Sequence, residues 1–179
     1  MDPIARKILL TGLPSCGKTT VITSLAEFLK HRKIAGFYTC EIRSQGRRTG
    51  FAIRTFSGVE GILSSTQLPH GPRVGKYRVD VEGFESLVLP ELTAGHAQVD
   101  VFIIDEIGKM ECFSRPFIHA VDAILQGSVH VVATIASKGG GFIARAKTFP
   151  EIEIMQVTTA NRNELPQKIA RLLEPAKDA

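Results

Sequence analysis

The chain has 179 residues, of which 44% are hydrophobic and 22% charged, enough apolar mass for one packed globular domain spanning residues 1–179. A net charge of +4 without a long basic block suits an anionic ligand and does not by itself point to nucleic acid. The cysteines Cys16, Cys40 and Cys112 are widely scattered with no C-x-x-C pair, which argues against zinc and a disulfide framework and for a reducing, cytoplasmic setting.

Arg6 and Lys7 precede the apolar run Ile8-Leu9-Leu10. That run is too short for a signal peptide, and no stretch of the chain is long enough to cross a bilayer. It reads instead as a short buried strand. It leads into Gly12-Leu13-Pro14-Ser15-Cys16-Gly17-Lys18-Thr19, which fits the phosphate-loop pattern G-x-x-x-x-G-K-[ST] without a mismatch. Val21, Ile22, Leu25, Ala26 and Leu29 then recur at helical spacing. Strand, loop and helix are the context in which such a loop binds a polyphosphate. Unpaired amides and the helix dipole attract the anion, and the glycines let successive amides face one centre. Lys18 can reach the β- and γ-phosphates, and the Thr19 hydroxyl can ligate Mg²⁺. Cys16 reads as a small residue that fits the loop, with redox control through its thiol as the alternative.

Ala35 to Arg43 and Arg48 to Phe56 alternate partially and are joined by Ser44-Gln45-Gly46-Arg47, the pattern of a β-hairpin. Glycine-punctuated pieces follow, then a loop from Leu68 to Gly75 and a short strand at Lys76-Tyr77-Arg78-Val79. The region 35–79 is thus a hairpin-rich, antiparallel insertion. Arg43, Arg47, Arg48 and Arg54 cluster on it. They read either as a solvated charged surface or as a contact for phosphates or RNA.

A helix starting near Asp80 carries Phe84, Leu87, Val88 and Leu92 on one face, and Pro90 is expected to kink it or end it early. Val99 to Glu106 is an apolar run ending in two acids, as in a buried parallel strand that delivers carboxylates at its C-terminal end. Ser114 is placed to cap the next helix, with Pro116 in its first turn and Phe117, Ile118, Val121, Ile124 and Leu125 on its buried face. Val129 to Ile135 reads as a strand, Ser137 to Gly141 as a flexible turn before a basic segment, and Ile152 to Val157 as a last strand. Asn161 or Asn163 is expected to cap a final helix built on Leu165, Ile169, Leu172 and Leu173. Alternating strands and helices predict a mainly parallel, three-layered α/β domain.

Asp105 ends its strand where phosphate-loop NTPases hold their metal-side aspartate, so Asp105 and Thr19 are the expected Mg²⁺ ligands. Glu106 is the expected general base for an attacking water, and Lys18 the expected electrostatic catalyst. A solvated strand end is the plain alternative for the two acids. Lys109, Arg115, Lys138, Arg145 and Arg162 are candidates for a further positive charge on the transition state, each otherwise an ordinary surface residue.

With these residues in hand, the chain resembles the small nucleoside-triphosphatases first described from thermophiles, a family that includes the cancer-related nucleoside-triphosphatase. The resemblance rests on the loop Gly12–Thr20, on Gly36-Phe37-Tyr38-Thr39, Arg47-Arg48-Thr49-Gly50-Phe51 and Val74-Gly75-Lys76-Tyr77, and on Asn161-Arg162-Asn163. Its most specific element is Ile104-Asp105-Glu106-Ile107-Gly108-Lys109-Met110-Glu111. It implies slow, Mg²⁺-dependent hydrolysis of nucleoside triphosphates (ATP, GTP, CTP, and UTP or TTP) on a RecA-like sheet. It also implies nucleotide contacts from Gly12 to Thr20 and at Phe102, Ile103, Ile104, Asp105, Glu106, Ile107 and Gly108. Cys40 departs from an expected acidic run, and Gly139–Gly141 departs as a looser loop. The rival readings are a nucleoside, nucleotide or other small-molecule kinase, a GTP-dependent switch and an RNA-stimulated ATPase. The Lys138–Lys147 stretch is a poor kinase lid, and Asn161-Arg162-Asn163-Glu164 does not match a guanine-reading motif.

Overall fold

The apolar strands of this chain are apolar on both faces because helices cover both. In the computed structural model, which describes residues 5–93 and 98–174, strand β1 (Lys7–Thr11) and helix α1 (Lys18–Phe28) flank the glycine-rich loop. There follow β2 (Ile34–Ser44), β3 (Arg47–Thr55), β4 (Glu60–Ser65), β5 (Arg73–Val74) and β6 (Tyr77–Val79). Then come α2 (Val81–Thr93), β7 (Val101–Ile107), α3 (Arg115–Gln126), β8 (His130–Ile135), α4 (Phe142–Ala146), β9 (Ile152–Gln156) and α5 (Leu165–Leu173). The strands form one sheet in the order β5-β6-β4-β3-β2-β7-β8-β1-β9. From β2 to β9 the pairings are parallel, and from β2 to β5 they are antiparallel. The mainly parallel α/β architecture with an antiparallel insertion is the one expected.

Two cores lie on opposite sides of the sheet. Leu9, Phe102, Ile104, Val131 and Ala133 pack with α2, α3 and α4, while Ile8, Leu10, Val101, Ile103 and Val132 pack with α1 and α5. Odd and even positions of each strand serve different layers, which is the two-residue alternation of a pleated strand. Phe37 on β2, Phe84 on α2 and Phe117 on α3 meet edge-to-face with centroids 5.2–6.1 Å apart. Such pairs add about 0.5–1.5 kcal/mol each beyond the area they bury.

Several details differ from the sequence expectation. The hairpin turn is only two residues long, and Gln45 and Gly46 both have positive φ (49° and 74°), the signature of a tight turn that matches strand twist. Pro90 does not end α2, which continues to Thr93. Phe84, Val88 and Leu92 are buried on either side of the proline, and that packing holds the last turn. The glycine run opens into the short helix α4 rather than a wholly irregular segment. Ser114 caps α3 as expected, its Oγ accepting from the Phe117 amide at 3.0 Å. Neither Asn161 nor Asn163 caps α5, whose N-terminal flank is Glu164 without a side-chain cap. Asn161 instead folds its side chain back, accepting from the Thr158 amide and donating to the Gln156 carbonyl, and so braces the turn after β9.

Candidate active site

The loop between β1 and α1 is shaped by close packing. A Cβ on Gly12 would sit 2.6 Å from the Val157 carbonyl oxygen, so only glycine lets the chain pass there. Gly17 turns into the helix with φ 105°, a conformation costly for any other residue. The Gly17 carbonyl accepts the first helical bond from the Val21 amide at 3.0 Å, and no described side chain caps the amides of this first turn. Lys18 folds back across the loop, its Nζ 3.4 Å from the Gly12 carbonyl. Cys16 is buried, with its Sγ against Gly12. It fills the inner side of the loop as a small residue. Leu13, Pro14, Ser15 and Thr20 face outward, and Leu13 is 73% exposed at the loop tip.

Opposite the loop lies the C-terminal part of β7, which runs on to Ile107 rather than ending at Asp105; Asp105 is 1% exposed. Its Oδ1 accepts from the Thr134 hydroxyl at 2.6 Å, and its Oδ2 accepts from the hydroxyls of Thr19 at 2.7 Å and Thr39 at 3.2 Å. The Thr39 amide also approaches Oδ2 at 3.4 Å. Thr134 comes from β8, the strand between β7 and β1, and Thr39 from β2. One carboxylate thus ties together α1 and three strands.

Glu106 stands beside it, part-buried. Burial raises its pKa above the ordinary carboxylate range; Lys18 opposes that shift and the neighbouring Asp105 charge adds to it. Lys18 is thus within electrostatic reach of Glu106, as its neighbour Thr19 is within hydrogen-bond reach of Asp105. Gly108 leaves room for two carboxylates to converge, since a Cβ there would lie 3.1 Å from Glu106 Oε1 and 2.9 Å from Glu111 Oε2. Glu111 begins a single 3₁₀ turn, Glu111–Phe113, and is buried. Burial pushes its pKa up to about 8; its own amide and that of Gly108 pull down, while the charges of Glu106 and Asp105 push further up. At neutral pH Glu111 is a protonated acid next to the ionisable Glu106.

Not every residue expected at the site faces it. Phe102, Ile103, Ile104 and Ile107 are fully buried, divided between the two cores. They anchor Asp105 and Glu106 at the C-terminal end of the parallel strands and offer no side-chain surface to a nucleotide. Of the candidate cations, Arg145 is held by Asp122 at 2.9 Å and lies over the rings of Phe142 and Phe149. Arg115 starts α3 and is exposed. Arg162 reaches the loop, its Cδ 2.7 Å from where a Cβ on Gly17 would be. Lys109 and Lys138 border a cavity that has Glu106 in its wall. On the hairpin, Glu41 pairs with Arg43 (2.6 Å) and Arg48 (2.8 Å), and Glu60 pairs with Arg54 (2.8 Å). Two glutamates thus pair with three of the four hairpin arginines, so the hairpin keeps a net positive charge. Thr39 and Glu111 enter the sequence reading by name only inside the resembling stretches Gly36–Thr39 and Ile104–Glu111, and Thr134 not at all, because no local pattern gives any of the three a role at the site.

A family model described as NTPase matches residues 7–170. This chain belongs to that NTPase family. It is 42% identical over 168 residues to the nucleoside-triphosphatase THEP1 of Thermotoga sp. (strain RQ2), covering 94% of this chain and 95% of the relative. It is 39% identical over 191 residues to the cancer-related nucleoside-triphosphatase of Homo sapiens, covering 97% and 100%. The crystal structure of THEP1 from the hyperthermophile Aquifex aeolicus superposes with a TM-score of 0.86 at 38% identity, over 94% of this chain and 99% of that one. The solution structure of the human cancer-related nucleoside triphosphatase superposes with a TM-score of 0.82 at 37% identity, over 97% and 100%. The NTPase-family match therefore spans the loop, β7 and the antiparallel insertion together. Among the described residues of this family member, no helix is long and apolar enough to cross a membrane.

Proposed function

We propose that the chain, acting as one unit, hydrolyses nucleoside triphosphates to the diphosphate and phosphate, slowly and with broad base tolerance. The observation that carries this reading is the Thr19 hydroxyl 2.7 Å from the buried Asp105 carboxylate, at the mouth of a phosphate loop and beside Glu106. The donors fit Mg²⁺. A hydroxyl and a carboxylate are hard oxygen ligands, and Mg²⁺ is typically held by one or two protein oxygens plus substrate phosphates. Among the described residues no cluster of three or more His, Cys, Asp or Glu offers an all-protein cage, in keeping with that division. Bound with the nucleotide, Mg²⁺ supplies positive charge that stabilises the β- and γ-phosphate oxygens.

The chain's own groups do the rest. The amides of residues 12–19 and the Lys18 ammonium neutralise the polyphosphate and the charge that builds on it in the transition state. Asp105, fixed by Thr39 and Thr134, holds the Thr19 side of the site in one geometry. Glu106 takes a proton from the water that attacks the γ-phosphorus, and the bond from that phosphorus to the β–γ bridging oxygen breaks as the diphosphate leaves. All these groups address phosphates, which ATP, GTP, CTP and UTP share, so comparable rates on the four are expected. The free cysteines fit a cytoplasmic setting.

The test is phosphate release from each nucleotide with and without Mg²⁺, alongside Lys18→Ala. Release that needs Mg²⁺, varies little with base and disappears in the variant supports the reading. A Lys18→Ala protein as active as the parent overturns it.

A further inference from the structure

The space next to Glu106 is larger than a hydrolytic water needs. A cavity of about 290 Å³ has Glu106 in its wall together with Phe51, Leu63, Val74, Lys109 and Lys138. A water occupies about 30 Å³ of liquid, and pockets for small organic ligands begin near 300 Å³. Through Val74 and Lys109 this cavity borders a second one of about 450 Å³, which Arg73, Phe113 and Ile143 help to line. No phosphate-loop residue lines either space. Much of the wall is supplied by β3, β4 and β5, the antiparallel insertion that phosphate binding does not use.

The charge around this space points to an anion. Arg73, Lys109 and Lys138 are exposed at the rim of this space and have no ion-pair or side-chain hydrogen-bond partner among the described residues. Unpartnered cations grouped around a partly apolar hollow are what a small organic anion requires. Two carboxyls, Glu106 and Glu111, line this hollow, and of these Glu106 is the one that feels Lys18 of the phosphate loop.

We infer that the hollow is an acceptor site for a small organic anion bearing a hydroxyl group, and that the γ-phosphoryl group is transferred to that hydroxyl. This rests on the reading of Lys18, Asp105 and Glu106 given above. Glu106 takes the proton of the acceptor hydroxyl. Its oxygen bonds to the γ-phosphorus as the bond to the β–γ bridging oxygen breaks, giving a phosphate monoester, a nucleoside diphosphate and a protonated Glu106 that returns its proton to solvent. Arg73, Lys109 and Lys138 hold the anionic end, and Phe51, Leu63 and Val74 exclude water from the carbon skeleton. Hydrolysis is then the same reaction with water in the acceptor's place.

The experiment uses the full-length protein, Mg²⁺ and ATP labelled in the γ-phosphate, with glycerol 3-phosphate, glycerate or ribose 5-phosphate as probe. It reads the ratio of label in organic ester to label in free phosphate. Ester formation with at least one probe is expected. Arg73→Met and Lys138→Met should each lower the ratio fivefold or more, while the exposed Arg171→Met on α5 should leave the ratio unchanged. Phosphate release with no ester from any probe overturns the acceptor site and leaves the hydrolase intact. An ester ratio indifferent to Arg73 and Lys138 overturns the assignment of the hollow. No release and no ester from any nucleotide overturns both readings together.

Discussion

Replacing Glu106 by glutamine isolates one function. The amide keeps the volume and the hydrogen-bonding reach of the carboxylate, so the contacts of Thr19, Thr39 and Thr134 with Asp105 stay in place. What is lost is a group able to accept a proton from the attacking oxygen. A positioned general base is worth about 10²- to 10⁴-fold, or roughly 3–5 kcal/mol of barrier. Glu106 is suited to that role because burial raises its pKa while Lys18 opposes the shift. Its carboxylate is therefore a stronger base than a solvated one. The sign with pH follows: activity rises as pH climbs through the raised value and levels once Glu106 is ionised, with the acid limb displaced above the usual carboxylate range. Glu106→Gln should bind a fluorescent ATP analogue as the parent does, lose at least a hundredfold in phosphate release, and show no such limb in what remains. Turnover within threefold of the parent, or an unaltered acid limb, would refute the assignment.

Three further changes probe the frame around the site. Thr134→Val removes the hydroxyl that donates to Asp105 Oδ1 at 2.6 Å in a fully buried position. A hydrogen bond to a charged group contributes about 1.5–3 kcal/mol, so thermal unfolding should begin several degrees lower, and an unchanged Tm would count against a tied carboxylate. Lys7→Met strips a buried ammonium from the carbonyls of Ile124 and Val129. Leaving both without that donor costs about 2–4 kcal/mol and should lower Tm by roughly 5–15 °C in differential scanning calorimetry; a shift under 2 °C would refute it. Glu111→Gln tests the buried acid. With the folded pKa raised to about 8, the parent binds more protons folded than unfolded between the ordinary carboxylate range and pH 8, so its stability falls as pH rises through that window. The variant should show a flatter profile in urea titrations from pH 5 to 8.5, and identical slopes would show that Glu111 is ionised throughout.

What the sequence reveals and what it hides separate along physical lines. The phosphate loop, β7 and the caps of α3 are local events. Gly17 must turn, Lys18 and Thr19 must follow it, and a continuous apolar run must be buried on both faces, so contiguous residues suffice to read them. The partners of Asp105 are not local. Thr39 lies 66 residues away and Thr134 lies 29 residues away. A threonine in a strand looks like any β-branched residue until the strand order brings it beside an acid. Glu111 was hidden for the opposite reason. It sits close to Glu106 in sequence, but only the 3₁₀ turn that buries it distinguishes it from a solvated glutamate. The ion pairs of the hairpin arginines were equally out of sight, because a one-letter reading counts charges and not pairs, and Glu41 serves two of them.

The long strand β2 explains why the antiparallel insertion matters to the chemistry. Its first part, Ile34 to Phe37, pairs in parallel with β7, and from Phe37 onward it pairs with β3 in antiparallel fashion. Phe37 is the residue at which the two systems join, buried under Phe84 and Phe117. Two residues later, on the same face of a pleated strand, comes Thr39, whose hydroxyl and amide both address Asp105. The carboxylate nearest the phosphate loop is thus fixed in part by the strand that launches the hairpin. β3, β4 and β5, which line the hollow beside Glu106, are thus joined to Asp105 through hydrogen-bonded strands and the Thr39 hydroxyl.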